Sequence, residues 1–176
     1  MSRRFPLLQR LMAVLLCMSA EAALGETDDL FSLSGNWVGD GVIAARTEAD
    51  PEPGRCNLRI TPNPAGDRSD VTGKCAIAGG ASRVSMRFEQ GPDQTIRAGI
   101  WSEATEQIVQ FRGEIGPDEA FLATDRPISV DDRLFDSEIT FSFDLPRSFS
   151  LHQTLRAVGE PQWRPVIELT FLRAGD

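Results

Sequence analysis

The amino-acid sequence predicts an all-β fold, an antiparallel up-and-down β-barrel of about eight to ten strands with one disulfide. Short segments of alternating apolar and polar residues recur along the chain, separated by Gly, Pro, Asp and Asn. No stretch keeps an apolar period of 3.6 residues, so helices are not expected. Two cysteines are spaced for a hairpin, and two glycines share a strand face with a tryptophan, which is typical of a closed, bent sheet.

The predicted strands follow one another at short intervals. The clearest lies at 137–145, where apolar side chains take one face and Thr, Ser and Asp take the other. The alternation resumes at 149–156, after Pro146 and Arg147, which predicts a tight hairpin. It returns in a last strand around 167–171. The other candidate strands are 34–46, 55–61, 70–78, 82–89, 95–101, 107–115 and 119–125.

Cys56 and Cys75 test one strand pairing independently of strand propensity. If they are cross-strand partners in a hairpin with a loop at 62–69, Ile60 must lie opposite Val71. The half-cystines then share a face with these apolar side chains, so spacing and pattern agree. We expect a structural disulfide that stabilises the fold by roughly 3 kcal/mol in the chain-entropy model.

The first predicted strand contains the stretch SGNWVGDG, in which Gly39 and Gly41 lie on the same face as Trp37. Glycine inside a strand marks a strong bend or a close approach of another backbone. A first strand that bends sharply while a tryptophan fills one end of the interior favours a barrel over a sandwich.

The N-terminal region has the layout of a secretory signal peptide, with a basic start, an apolar run at 11–17 and small residues up to Gly25. Cleavage after Ala22, Ala23 or Gly25 fits equally well. The apolar run is much shorter than the ~20 residues that a membrane span needs. We expect a signal peptide at 1–25, a flexible leader at 26–33 and one barrel domain at 34–176.

Charge and cysteine content narrow the partners and the compartment. The formal net charge is −8, and a nucleic-acid role is disfavoured because phosphate binding needs a basic surface. Removal of the signal peptide takes Cys17 away and leaves an even pair of cysteines. Such a pair is expected in the periplasm or outside the cell, where disulfides persist.

No catalytic residue, metal ligand or cofactor is predicted. The one histidine, His152, alternates with Phe149 and Leu151 and is expected to face solvent, which argues against a zinc site or a Ser-His-Asp triad. The acidic run at 129–138 lacks the ligand spacing of an EF-hand, so we interpret it as a solvated loop. A hydrolase that uses two carboxylates stays open as an alternative, because the chain offers many acidic pairs.

Several stretches, SGNWVGDGVI, AGIWSE, FRGEI and LTFLR, together with the cysteine pair, resemble small exported proteins of Gram-negative bacteria of the calycin or lipocalin type. The Gly35-x-Trp37 element is similar to the Gly-x-Trp of the first lipocalin strand, and Arg173 resembles the arginine that packs over that tryptophan. The resemblance implies that the first and last strands are neighbours. It also implies that a cation–π contact between Trp37 and Arg173 closes the barrel, worth ~1 kcal/mol.

A second resemblance is to the small periplasmic inhibitors of secreted metalloproteases, which combine an early tryptophan, one disulfide and a barrel. It implies that the leader at 26–33 could enter a protease cleft. This protease-inhibitor function is an alternative to a simple binding function.

The leading interpretation is a non-catalytic binding module. Either a small apolar ligand enters the barrel, or a protein partner docks on its rim. Trp101 shares its strand face with Arg97 and Gly99, so we expect it on the outer wall or at a rim. The candidate ligand or partner contacts are Trp101, Phe141, Phe143, Leu169 and Phe171.

Overall fold

A computed structural model describes residues 30–175, which form eleven strands of one antiparallel sheet. The strands are β1 Gly35–Ala44, β2 Pro51–Pro62, β3 Arg68–Ile77, β4 Gly80–Gln90, β5 Thr95–Ser102, β6 Gln107–Ile115, β7 Glu119–Thr124, β8 Ile128–Val130, β9 Arg133–Asp144, β10 Ser148–Ala157 and β11 Arg164–Arg173. Between residues 30 and 175 no helix is found that is long and apolar enough to cross a membrane. The predicted signal peptide lies outside the described residues.

The sheet closes on itself, which confirms the predicted antiparallel barrel. Strands β1 to β7 pair in chain order, β7 pairs with β9, and β9, β10 and β11 continue the order back to β1. Trp37 on β1 lies opposite Arg173 on β11, so the first and last strands are neighbours. Ten strands form the cylinder, while the short β8 pairs only with β9.

The strand β8 is the element that the sequence pattern missed. The run at 129–138 was expected to be a solvated loop, but it forms part of β8, a turn and the start of β9. Asp131 and Asp132 both have positive φ, as in the two-residue turns that join antiparallel strands. The two charged side chains can lie in solvent at the tip of this turn, while the flanking residues Val130 and Arg133 pair with each other.

The disulfide and its register are confirmed. Cys56 pairs with Cys75 across β2 and β3, and Ile60 lies opposite Val71. Cys56, Ile60 and Val71 are all buried, so this hairpin turns its apolar face toward the barrel interior. A disulfide is typical of a non-cytoplasmic environment.

One end of the barrel is filled by aromatic rings, and we call it the closed end. The Phe149 and Phe171 rings stack with centroids 4.6 Å apart, and Trp37 meets Phe149 edge-on at 5.1 Å. Trp37 and Phe171 are each only 1% exposed. Stacked and edge-on aromatic pairs stabilise a fold in addition to the contribution from burying their apolar surface. This end of the barrel is therefore a packed core.

The segment before β1 also belongs to this core. Leu30, Phe31 and Leu33 are buried in the same cluster as Trp37. Residues 30–33, which the sequence assigns to the leader, are therefore packed with the barrel core through their apolar side chains. Residues 26–29 lie outside the described residues.

The two glycines of β1 are explained by the neighbouring strand β11. A side chain at Gly39 would overlap the Phe171 ring, and one at Gly41 would overlap the backbone of Glu168. The close approach expected from the sequence is confirmed. Glycine is needed here for space, because a bulky inner ring and a tightly crossing backbone occupy the places of the two side chains.

Candidate functional site at the open end of the barrel

Four of the predicted contact residues belong to the core. Phe141, Leu169 and Phe171 are buried, and Phe143 is half-buried and packs against the same cluster. Phe141 meets Phe88 edge-on, with ring centroids 5.6 Å apart. These side chains fill the interior with one another instead of lining an open cavity. They stabilise the fold and are not placed to contact a partner.

The predicted barrel-closing pair meets in a different way from the one expected. Trp37 and Arg173 are register partners, but the described residues form their cation–π contacts elsewhere, between Arg133 and Phe135 and between Arg156 and Trp163. The Arg173 guanidinium instead donates to the carbonyl oxygen of Ser34. Because this carbonyl competes for the guanidinium, Arg173 is held at the strand end and not over the indole.

At the opposite end, where β4 begins and β5 ends, the interior is partly exposed, and we call this the open end. Val84, Met86 and Ile100 lie on the same strand faces as the buried Phe88 and Ala98, yet they are only half-buried. The inward face thus changes from sealed to accessible along β4 and β5. An apolar mouth remains at this end.

Loops cover one side of the open end. Arg133 forms ion pairs with Glu48 in the β1–β2 loop and with Glu160 in the β10–β11 loop. Arg164 also donates to the Glu48 carbonyl, at 3.2 Å. Beneath these loops Phe135 and neighbouring apolar side chains form a second small cluster. The accessible side of the open end is therefore the one formed by β4, β5 and β6.

Trp101 lies on the outer wall at this accessible side, and its side chain is half-buried. Its cross-strand partner on β6 is Ile108, whose side chain is 67% exposed. Two residues before Trp101, Gly99 lies opposite Gln110 and has no side chain, and a Cβ there would lie 3.4 Å from the Gln110 amide and 3.7 Å from Ile108. We call Trp101 and Ile108 the outer patch. Alternation could have identified Ile108 from the sequence, because it shares a face with the exposed Gln110.

The wall of the barrel is interrupted beside the outer patch. Strand β6 pairs with β7 from Phe111 to Ile115, and the backbone contact ends where Asp125 N donates to Gln110 O at 3.0 Å. Among residues 30–175 no backbone pairing joins the rest of β6 to β8. A gap of about 280 Å³ remains, which we call the wall slot. It is lined by residues including Ile108, Gln110, Arg126, Pro127 and Ile128.

Backbone groups of β6 face this slot. In a strand, the N–H and C=O of alternate residues point to the same side. Gln110 O points toward β7, because it accepts from Asp125, so the N–H and C=O of Ile108 point the same way and into the slot. Across the slot, the side-chain amide of Gln107 donates to the carbonyl oxygen of Ser129, at 2.8 Å. A side-chain amide thus bridges the gap where the two backbones do not pair.

Acidic residues flank the end of the slot at which β6 begins. Glu106 precedes Gln107, and Asp131 and Asp132 follow Ser129 within three residues, so the Gln107–Ser129 hydrogen bond brings the two turns that carry these residues close to each other. The three acidic residues are exposed, and within the described part of the chain none has an ion pair within 4 Å.

The carboxylate of Asp125, which lines the slot, and that of Glu103, in the turn between β5 and β6, are each paired with an arginine. Asp125 binds Arg112 at 2.7 Å, and Glu103 binds Arg83 at 2.9 Å. The Arg83 guanidinium donates to Glu103 and thereby holds the pKa of this carboxyl below its usual value. Arg126 is the cation that lines the slot. With three unpaired carboxylates against one cation, the region around the slot is net negative.

His152 is exposed, and its Nε2 lies 3.4 Å from a carboxylate oxygen of Glu168 on the outer wall. Within residues 30–175 no group of three or more His, Cys, Asp or Glu side chains is arranged to hold a metal ion. The exposed features of the open end are therefore the outer patch, the wall slot and the apolar mouth.

Neither models of protein families nor curated proteins yield a match to this chain. The functional interpretation therefore depends on the geometry of the open end.

Proposed function

We propose that the protein is a non-catalytic binding module that holds a protein partner on the rim of its barrel, at the outer patch and the wall slot. The observation that carries this proposal is the pairing of Trp101 with the highly exposed Ile108 directly beside an interruption of the sheet. Exposed apolar side chains that cluster on a soluble domain mark interaction sites.

The remaining tryptophans have structural partners, which sets Trp101 apart. Trp37 is buried against Phe149, and the Trp163 ring lies 4.5 Å from the guanidinium carbon of Arg156. Within residues 30–175 Trp101 takes part in no ring or cation contact. Tryptophan is enriched among the residues that contribute most to binding energy at protein interfaces. Its position on the outer wall therefore supports a partner at this face.

A small apolar ligand in the mouth is the second candidate. It is favoured by the half-exposed inward side chains of Val84, Met86 and Ile100 and by the Ser82 and Ser102 hydroxyls, 3.3 Å apart, which could orient a polar group. The packed aromatic rings of the closed end restrict such a ligand to a shallow site. Most ligand sites bury the greater part of their ligand, so a partner on the rim is the better supported function.

Protease inhibition and carboxylate-based hydrolysis have less support. An inhibitory arm must leave the barrel, yet Leu30, Phe31 and Leu33 are buried in its core. A carboxylate hydrolase needs two acids that enclose a substrate, whereas the unpaired carboxylates near the slot, Glu106 and Asp131 among them, are exposed at the rim.

We also propose that the protein is of the calycin type and that it acts in the periplasm or after secretion, once residues 1–25 have been removed. The disulfide between Cys56 and Cys75 supports an oxidising compartment. The closed antiparallel barrel, with its first and last strands paired, is the architecture that the resemblance implies.

Native mass spectrometry of the protein purified from the cells that express it tests this function. We expect the wild-type protein to carry a second polypeptide, and the double substitution Trp101→Ala with Ile108→Ser to lose it. Leu172→Ser is the matched control, because Leu172 is 58% exposed on the outer wall of β11. A bare protein mass, a small-molecule adduct, or equal partner loss in the control would contradict the proposal.

A further inference from the structure

We infer that the partner docks as an extended, basic polypeptide segment that adds a strand to β6 in the wall slot. This inference rests on the proposed function and specifies the chemistry of the segment that the rim accepts. Three properties of the slot support it, namely its backbone hydrogen-bonding groups, its apolar flank and its charge.

The backbone groups come first. A closed barrel satisfies the edges of its strands, but among residues 30–175 β6 finds no backbone partner on the slot side from Gln107 to Ile108. The Ile108 N–H and C=O both face the slot, and Ile108 is exposed. A peptide in extended conformation can accept from this N–H and donate to this C=O, which is how added strands gain main-chain hydrogen bonds.

The apolar flank sets which side chains such a segment needs. In an added antiparallel strand, the residue opposite Ile108 lies on the outer face and contacts Ile108. Trp101 lies on the other side of Ile108, on β5. The neighbours of that added residue point toward the other face, where Val109 is half-buried. An apolar residue opposite Ile108 would therefore cover the outer patch.

The charge favours a basic segment over a neutral or acidic one. Within residues 30–175, Glu106, Asp131 and Asp132 form no ion pair and flank the end of the slot at which β6 begins, and Arg126 is the cation that lines the slot. The chain as a whole has a formal net charge of −8, so approach of an acidic segment is opposed at long range as well. Arginine or lysine residues that flank the apolar anchor would reach these carboxylates.

The test uses the full disulfide-bonded protein and a short synthetic peptide that alternates valine with arginine. Hydrogen–deuterium exchange of single amides is followed by NMR. In the free protein the Ile108 amide should exchange rapidly, and at saturating peptide its exchange should slow by roughly tenfold or more. The same peptide with glutamate in place of arginine should not bind. The basic peptide with N-methylated backbone amides should lose the protection.

Two sets of variants separate the backbone and charge contributions. Ile108→Pro removes the slot-facing N–H without removing a hydrogen bond to β5, and proline is tolerated where a strand N–H faces solvent. The proline variant should abolish the peptide-dependent protection of the Gln110 amide. The Ile108→Val variant should retain this protection. The triple substitution Glu106→Gln, Asp131→Asn and Asp132→Asn should weaken the peptide by about tenfold at low salt and keep the fold, since asparagine accepts positive φ.

Two results would overturn strand addition. One is binding of the basic peptide without protection of the Ile108 amide, and the other is equal binding of the acidic peptide. If either occurs while the natural partner still requires Trp101 and Ile108, the rim function stands and only its mode is wrong. If the natural partner ignores the outer patch, the proposed function fails irrespective of the peptide.

Discussion

The indole Nε1 of Trp37 and the guanidinium of Arg173 donate to one acceptor, the carbonyl oxygen of Ser34, at 3.2 and 3.3 Å. Trp37 lies in the first strand and Arg173 in the last, and the two residues are register partners. The shared acceptor connects the segment before β1 to both β1 and β11, the two strands whose pairing closes the sheet. This contact joins the two ends of the sheet at the closed end of the barrel.

Substitutions at this seam should differ in cost. Trp37→Ala empties a fully buried site and should lower the free energy of unfolding by about 3–5 kcal/mol. Arg173→Ala removes a single exposed hydrogen bond and should cost about 1 kcal/mol or less. Urea denaturation measures both, with Leu172→Ala as the control on the same strand. Equal losses for Trp37→Ala and Arg173→Ala would contradict a closed end packed around the indole.

The glycines of β1 predict a rescue experiment. Gly39→Ala should destabilise by about 1–3 kcal/mol because the new methyl group overlaps the Phe171 ring, and Phe171→Leu in the same protein should recover part of that loss. Gly41→Ala should not be rescued, because it meets the backbone of Glu168. Gly79→Ala, with open space around it, is the control and should be nearly neutral. Thermal denaturation of the single and double variants gives the coupling energy.

Removing the disulfide should destabilise the barrel without changing its fold. Replacement of Cys56 and Cys75 by serine opens a loop with a sequence separation of 19 and should cost roughly 3 kcal/mol. Guanidinium denaturation of the double variant, beside the wild-type protein in the presence and absence of reductant, measures the loss. A wild-type stability that reductant leaves unchanged would contradict a stabilising bridge.

The Arg83–Glu103 pair predicts a pH dependence near the β5–β6 turn. Because the guanidinium lowers the pKa of Glu103 in the folded protein, the pair stabilises the fold above the pKa of the unfolded carboxyl. That contribution should disappear as the pH falls through the lower folded value. The stability difference between wild type and Glu103→Gln should therefore be present at neutral pH and absent in strong acid. Glu106→Gln, whose parent carboxylate has no ion pair within residues 30–175, should show no comparable change.

Much of the fold follows from local sequence pattern. The bounds of β6 agree with the prediction, and the register of β2 with β3 follows from one assumed bridge between Cys56 and Cys75. Both features depend on residues a few positions apart in a hairpin, where alternation fixes each side chain's face. The role of Gly39 and Gly41 could also be anticipated, because few physical reasons place glycine inside a strand.

The site was only partly predictable, because it depends on non-local pairing. Trp101 could be placed on the outer wall from alternation alone. The wall slot arises because β9 pairs first with β8 and only later with β7, so that within residues 30–175 the start of β6 has no backbone neighbour on that side. No local pattern near Ile108 encodes this. The burial of Leu30 and Phe31 is non-local for a related reason, since they belong to one core cluster with side chains from strands far away in the sequence.

Site-specific photo-crosslinking in living cells tests the central claim most directly. A benzoyl-phenylalanine in place of Ile108 should form a covalent adduct with a second polypeptide, and the same group in place of Leu172 should not. Digestion of the adduct should identify a crosslinked segment that is rich in arginine or lysine around an apolar residue. No adduct at residue 108, or equal adducts at both positions, would contradict a partner on the rim.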